Sequence, residues 1–395
     1  MRRSRITYGV LCLVMVWFFI MYQNYVSFLG LGFCLVLPLG LFLYVNALRE
    51  QVRVWLDTRD VLGNRGRDIP IKLQVSNDSK MAMPFVEITL QIKYGFYAEE
   101  KTLLLEVPLK PKEKRILQVD LQPMHVGNLQ LKVGRIRVLD FFRLTAGRAR
   151  KTLINTVTVL PYVPDSLGMH LSDDFLRSSD DVTHFSPYKP GDDASETFVI
   201  REYRPGDKMH RIHWKLSAKT SDVMVRQASF PIENSVAIYT ELYCPARYTP
   251  DDKSCVDGVL ETTYMMSLFL LQSGIEHQLH WFDHAGGGPC SAEIADEGDL
   301  FAAMSEMFTG SLYWETPLMA KEMVKDPARV QANRVLYITP KLFEELDNLP
   351  YSLQRKTVMF YCHVGQPEDS PVWDRYRIIE IDAADPQPDF MDLVL

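Results

Sequence analysis

The sequence contains no acidic or basic residue between Ile6 and Leu48. One Asp, Lys or Arg at the membrane centre costs about 2.5–3.5 kcal/mol on the insertion scale, so so long an uncharged run excludes an ordinary soluble N-terminal domain. Paired cysteine spacing is missing too. Cys12, Cys34, Cys244, Cys255, Cys290 and Cys362 are scattered, with no Cys-x-x-Cys. That excludes the common zinc and redox motifs and points to free thiols in a reducing compartment. A basic excess is also lacking. The net charge is −7 over 395 residues, which argues against general nucleic-acid binding. Gly286-Gly287-Gly288 is not followed by Lys-Ser/Thr, and Pro289 removes a helix-opening N–H, so these glycines read as a flexible turn rather than a phosphate loop. Ser217 and Lys219 lack the Ser-x-x-Lys spacing of an acylating serine.

The uncharged run is too long for one membrane crossing. Gln23-Asn24 divides it into Ile6–Tyr22, near the lower length limit of a span, and Tyr25–Leu48, which is ample. Pro38 can kink the second span without breaking it. Tyr22, Tyr25 and Tyr44 lie near the ends, as interfacial aromatics do. A cleaved signal peptide competes with this reading, but no small-residue cleavage site follows the first run. Arg2, Arg3 and Arg5 precede the run, Arg49 and Arg53 follow it, and the turn is uncharged. The positive-inside rule then predicts a transmembrane hairpin over residues 1–48 with everything after it cytoplasmic.

A chain of this length predicts two folded domains beyond the hairpin. Over residues 51–161 the hydrophobic period becomes two: Val52, Val54 and Leu56; Ile69, Ile71, Leu73 and Val75; Val86, Ile88, Leu90 and Ile92. Further strands are predicted at Thr102–Val107, Arg115–Leu121, Leu129–Leu139 and Leu153–Leu160, with turns at Gly63-Asn64, Asn77-Asp78, Pro111-Lys112 and Gly127-Asn128. Short alternating strands at this spacing predict an antiparallel, immunoglobulin-like β-sandwich. Residues 162–200 read as a connector, rich in proline and in Asp pairs; Tyr188–Asp192 echoes Tyr203–Asp207. From 231 to 395 strand-like and helix-like segments alternate. Strands are predicted at Val236–Leu242, Glu276–Phe282, Arg334–Thr339, Thr357–His363 and Arg377–Ile381, and helices at Asp252–Ser273, Asp296–Phe308 and Lys341–Asp347. This alternation predicts a mostly parallel, doubly wound α/β sheet.

The densest run of special residues is Arg201–Arg226, REYRPGDKMHRIHWKLSAKTSDVMVR. Arg204-Pro205-Gly206-Asp207 reads as a tight turn, with Asp207 placed as a helix N-cap. A short helix over Lys208–Ala218 is expected, with Met209, Ile212 and Leu216 as its apolar stripe. Seven cations (Arg201, Arg204, Lys208, Arg211, Lys215, Lys219, Arg226) stand against three anions (Glu202, Asp207, Asp222). Either this is a solvated helix face with internal pairs, or it is a docking surface for an acidic partner or anionic headgroups. His213 and Trp214 are expected to knit the turn to the sheet.

The stretch "REYRPGD" followed by "RIHWKLSAKT" resembles the signature of the domain-of-unknown-function family number 58, bacterial and usually membrane-anchored proteins. The likeness is close over some two dozen residues and looser over nearly the whole chain. It implies an architecture but no reaction, and it implies that Pro205, Gly206, Asp207, His213 and Trp214 are structural. It also implies that the last domain is similar to a von Willebrand factor A module. Such modules often hold Mg²⁺ with Asp-x-Ser-x-Ser after the first strand. Thr240-Glu241-Leu242-Tyr243-Cys244 stands there instead, and Pro340-Lys341 follows Thr339, so no metal and no other cofactor is expected. The run VGNLQLKVGRIRVLDFFRL resembles the family's strand pair, with Phe141-Phe142-Arg143 replacing the usual Pro and Gly of its turn. These aromatics are expected to pack the sandwich edge. His277, His280, Asp283 and His284 cluster on one strand, but His277 and His280 point to opposite faces and read as structural histidines.

The leading expectation is a membrane-tethered, non-enzymatic scaffold whose α/β domain binds a protein partner. The resemblance implies a MoxR-type AAA+ ATPase as that companion. A hydrolase or transferase centred on the 201–226 signature, using His210 or His213 with Asp207, is a second reading, and an outward-facing metal-dependent adhesion module a third.

Overall fold

Helix α1 (Arg2–Tyr22), beyond the arginines of its first turn, and helix α2 (Tyr25–Leu48) are apolar on every side. In the computed structural model Gln23 adopts a left-handed φ of 40° and its N–H closes on Phe19 O at 3.0 Å, ending α1 and reversing the chain. Both helices are long and apolar enough to cross a membrane. The structure describes residues 1–57, 62–97, 99–149, 153–162, 169–170, 185–203, 212–220, 222–231, 236–330, 332–367, 375–391 and 393. These fall into two units, Met1–Tyr162 and Val163–Leu395.

Among its described residues the first unit carries nine strands: β1 (Val52–Asp57), β2 (Leu62–Asn64), β3 (Ile69–Asn77), β4 (Met83–Tyr94), β5 (Glu100–Leu109), β6 (Lys114–Leu121), β7 (Gly127–Leu139), β8 (Ala146–Ala149) and β9 (Leu153–Leu160). They make two sheets, β1-β3-β6 and β2-β9-β7-β4-β5, with β8 beside β7. All pairings are antiparallel except the three-residue β2, which runs parallel to β9. The alternating residues converge on one core, in which Ile71, Leu73, Val75, Val86, Ile88, Leu90, Leu131 and Val133 are fully buried. Each such side chain contributes about 1.5–3 kcal/mol. Val45 and Leu48 of α2 belong to this same core, so the helix end is packed into the sandwich. Gly147 permits that approach: a Cβ there would lie 2.8 Å from Val45 Cγ1 and 3.2 Å from the Val45 carbonyl oxygen. Three expectations fail in this unit. Gly63-Asn64 and Gly127-Asn128, expected as turns, lie in β2 and β7 instead. Phe141 and Phe142 do not pack the sandwich edge; they are 60% and 57% exposed. The turn that carries them is folded around a buried carboxylate, Asp140, which leaves both rings outside.

The second unit opens with an antiparallel ribbon of β10 (Phe185–Glu202) and β11 (Met224–Pro231), joined through α3 (Trp214–Thr220). The expected connector is therefore partly strand: residues from Phe185 onward pair across the sequence with residues after the signature, a long-range ladder that local composition does not encode. The six-stranded sheet follows, from β12 (Val236–Thr240), β13 (His277–Asp283), β14 (Gly288–Ile294), β15 (Arg334–Thr339), β16 (Thr357–His363) and β17 (Arg377–Asp382). Its order is β14-β13-β12-β15-β16-β17, parallel except for β14 at one edge. The triglycine is the β13–β14 hairpin turn, with Gly287 at φ 75°. Strand β14 escaped prediction because its alternation is weak and half exposed.

Helix α4 (Pro250–Gln272) starts at a capping box: the Thr249 hydroxyl accepts from Asp252 N at 3.2 Å and the Asp252 carboxylate accepts from Thr249 N at 2.7 Å. It is buried along most of its length. Helix α5 (Glu297–Met307) is capped by Asp296, whose carboxylate accepts from Asp299 N at 2.8 Å. Helix α6 (Leu318–Lys325) was not expected from the sequence. The helix expected over Lys341–Asp347 is a 3-10 turn at Glu344–Asn348, followed by α7 (Tyr351–Lys356). Thr339 Oγ donates to Lys341 O at 2.6 Å and folds the chain back there, so an α-helix cannot begin. A short α8 (Gln387–Met391) is the last described helix. Met319, Ala320 and Met323 of α6 pack with Ala237, Tyr239, Val335 and Tyr337 on one face of the sheet.

Candidate functional site

In an open parallel sheet, ligands collect where the strand order reverses, beyond the C-terminal strand ends. Here that point lies between β12 and β15, since β13 leads away on one side and β16 on the other. Glu241 follows β12 directly, and its N–H extends the ladder to Ile338 O at 2.9 Å. Side chains two apart share a face, so Glu241 points where Ala237 and Tyr239 point, toward α6.

Its carboxylate is wholly buried and wholly used. Oε1 accepts from the Tyr313 hydroxyl and from Met319 N at 3.2 Å; Oε2 accepts from the Tyr337 hydroxyl and from Ala320 N at 2.9 Å. A carboxylate offers about four acceptor sites, and four donors fill them. Met319 and Ala320 open α6, and the preceding Pro317 offers no capping side chain. Glu241 thus caps a helix from the neighbouring strand, where a negative charge is also favoured by the helix dipole. Burial pushes its pKa up, against the four hydrogen bonds, which pull it down. The phenols of Tyr313 and Tyr337 are pushed well above their usual range, first by burial and then by the adjacent carboxylate.

The rest of the crevice is occupied by the chain itself. Tyr243 bridges to Tyr313, Cys244 N donates to Tyr313 O at 2.9 Å, and the Tyr313 hydroxyl also accepts from Leu242 N at 2.9 Å. A hard divalent cation needs several oxygens free to converge on it. Glu241 has none to spare, the Thr339 hydroxyl is bonded to Lys341, and Leu242 and Cys244 bring no oxygen ligand. These residues do not fit a bound Mg²⁺. Cys244 and Cys255 are pushed up to about 12, chiefly by burial and then by Asp252, so neither is a thiolate at neutral pH. The sequence shows Glu241 only as part of the run that replaces a metal motif; the signal for its bracing role was a lone acid ending a fully buried strand.

The signature is only partly visible. Arg204, Pro205, Gly206, Asp207, Lys208, Met209, His210 and Arg211 lie outside the described residues. Arg201 sits on β10 opposite Val225. The described helix begins at Trp214; Ile212 and His213, which the expected helix would include, are instead drawn into a bridge with Val225 and a His213 N to Met224 O bond at 2.7 Å. His213 therefore ties the helix to β11, and its Nδ1 accepts from Leu216 N at 3.2 Å. Trp214 does not pack on the sheet; it is 69% exposed. Lys215 and Lys219 are exposed too, four residues apart on one face of α3. His277 and His280 are held apart on opposite faces of β13. The first bonds the Ser267 hydroxyl and Ile275 O; the second stacks on Tyr239 with ring centroids 4.4 Å apart.

Two N-terminal helices long and apolar enough to cross a membrane, a pair of packed β-sheets and a largely parallel sheet with helices against it define a multi-domain α and β protein. The family model described as "Protein of unknown function DUF58" matches residues 199–283, so that stretch of the chain is similar to the DUF58 family. No curated protein matches it. Among solved structures it is similar to the CARDB domain of a Pyrococcus furiosus protein crystallised with di-metal ions, at 19% identity and a TM-score of 0.21, covering 28% of this chain and 94% of that one. It is also similar to a β-glucosidase from Listeria innocua in complex with glucose, at 14% identity and a TM-score of 0.22, covering 29% and 17%. A third is a solution structure from Arabidopsis thaliana, at 15% identity and a TM-score of 0.20, covering 29% and 81%. Likenesses this weak carry no functional argument.

Proposed function

We propose that this chain is a membrane-anchored, non-enzymatic scaffold whose second unit recognises a protein partner. The observation that carries this reading is Glu241. The one carboxylate at the strand-order reversal is spent on four internal hydrogen bonds, so the usual place for chemistry is structural. The sheet order, with one antiparallel edge strand, supports a doubly wound module similar to von Willebrand factor A, working without a metal. The two apolar helices support the anchor, and the arginines flanking them support placing the folded part in the cytoplasm. Exposed Trp214, Lys215 and Lys219 support the signature as the docking surface for an acidic partner, with Arg201, Arg204, Lys208 and Arg211 as its further cations. The family resemblance nominates a MoxR-type AAA+ ATPase.

Crosslinking and capture from solubilised membranes tests this. The wild-type chain is expected to retain such an ATPase and a Lys215→Glu/Lys219→Glu variant to lose it. Equal capture by both sinks the docking surface. Turnover of a substrate by the purified chain, lost on His213→Ala, would replace the scaffold reading with the enzymatic one.

A further inference from the structure

The turn Asp140–Thr145 between β7 and β8 is built with unusual care for a piece of surface. Asp140 is fully buried. Its Oδ1 accepts from Phe142 N at 2.7 Å and Leu144 N at 3.2 Å, and its Oδ2 accepts from the Thr145 N–H and, at 2.7 Å, from the Thr145 hydroxyl. Arg143 takes a left-handed φ of 55°, and its N–H closes on Asp140 O at 3.1 Å. The Arg143 guanidinium lies over the Phe85 ring, 4.1 Å from its centroid, and pairs with Glu106. All this fixes a conformation whose outcome is two adjacent phenylalanine rings facing out.

The location of the turn is as specific as its shape. Arg5 of α1 donates through Nε to Leu144 O at 2.9 Å. Tyr44 of α2 lies 6.2 Å from Phe141, centroid to centroid, and its hydroxyl donates to Ala82 O, next to exposed Met81 in the β3–β4 turn. The turn thus touches the same end of both apolar helices. Tyr44 stands one helical turn before Leu48, about 6 Å along the axis. That is the level at which interfacial aromatics of a span sit. Arg5 reaches the turn itself and Arg49 lies beside Gly147 of β8, so two cations stand close to the patch, which suits anionic headgroups.

We propose that Phe141 and Phe142 insert into the headgroup–acyl boundary of the leaflet where α1 and α2 end, giving the sandwich a third, non-helical attachment to the bilayer. This rests on reading α1 and α2 as membrane spans. Insertion explains a buried carboxylate spent on exposing apolar rings: without it the turn displays hydrophobic surface to water at the point nearest the lipid. With it, the sandwich is held against the membrane by covalent continuity at Leu48 and by the aromatic turn beside it.

The test uses the full chain in vesicles of phosphatidylcholine and phosphatidylglycerol, with a benzophenone-bearing phenylalanine analogue placed singly at Leu43, Met124 or Phe142. Leu43 is an exposed residue of α2 and reports on the span. Met124 is 72% exposed and precedes β7, whose 13 residues place it at the far end of the strand from the turn, about 40 Å away. After irradiation, mass spectrometry is expected to find lipid adducts at 43 and 142 and none at 124. Lipid at 43 with none at 142 overturns the proposal and leaves the spans standing. A crosslink from 142 to a second copy overturns it in favour of a self-contact. Lipid at neither 43 nor 142 overturns the span reading itself, and equal lipid labelling at 124 and 142 removes the specificity claimed for the turn.

Discussion

Replacing Glu241 with Gln exposes how the α/β unit is held together. The amide keeps one acceptor oxygen and substitutes an NH₂ for the other. The hydroxyls of Tyr313 and Tyr337 can rotate to accept from that NH₂, but the N–H of Met319 or of Ala320 cannot, so one buried helix-opening N–H loses its acceptor. Leaving such a group unsatisfied costs about 1–3 kcal/mol. For a domain of about 150–250 residues each kcal/mol moves Tm by about 2–4 °C, so the expected loss is roughly 2–12 °C. The pH dependence has a definite sign. Burial raises the Glu241 pKa above its ordinary 4.5, so the folded unit holds this proton more tightly than the unfolded chain does. Its contribution is greatest at acid pH and declines as pH rises through the raised value. The Gln variant has no such group, so the gap between wild type and variant narrows as pH rises from about 4.5. Scanning calorimetry of the full chain in detergent micelles reads the gap, and hydrogen exchange reads the Met319 and Ala320 amides. An unchanged Tm with unchanged exchange at both amides, or a gap that widens with pH, refutes the reasoning.

Three further outcomes are expected. Gly147→Ala puts a methyl 2.8 Å from Val45 Cγ1 and forces β8 off α2, at a cost of about 1–3 kcal/mol in chemical unfolding of the first unit. Asp140→Ala frees three backbone N–H groups and a hydroxyl of the β7–β8 turn, lowering stability by about 1–3 kcal/mol and speeding exchange at Phe142, Leu144 and Thr145. Burial pushes His280 down from 6.5 to about 4, so NMR should find its ring neutral at pH 5. A depressed histidine costs stability as pH falls, between about 6.5 and about 4. His280→Phe, which can keep the stack on Tyr239, should remove that slope, and an unaltered slope assigns it elsewhere.

Glu241 and Asp140 follow one logic in two unrelated folds. Each is a buried carboxylate whose acceptors are filled by nearby N–H and O–H donors, and each sets the course of the chain around it. Buried acids at strand ends invite a catalytic reading, and here the acceptor positions of both are engaged within the fold. An acid with every lone pair engaged is a brace rather than a reagent.

Elements whose signals are local were legible in the residues alone. An uncharged run with one polar break makes two helices at Arg2–Tyr22 and Tyr25–Leu48, because free energy of transfer depends on residue composition alone. Period-two alternation made β3, β4 and β7 legible, and Asp296 marked the start of α5 through its own side-chain hydrogen bond. Only tertiary structure decided the rest. Phe141 and Phe142 face outward because Asp140 is buried beneath them, and burial is not written in neighbouring residues. Strand β10 exists because β11 lies across from it. Glu241 finds its hydroxyl donors 72 and 96 residues away, at Tyr313 and Tyr337, so its role comes into being only when distant strands and a helix end meet around it.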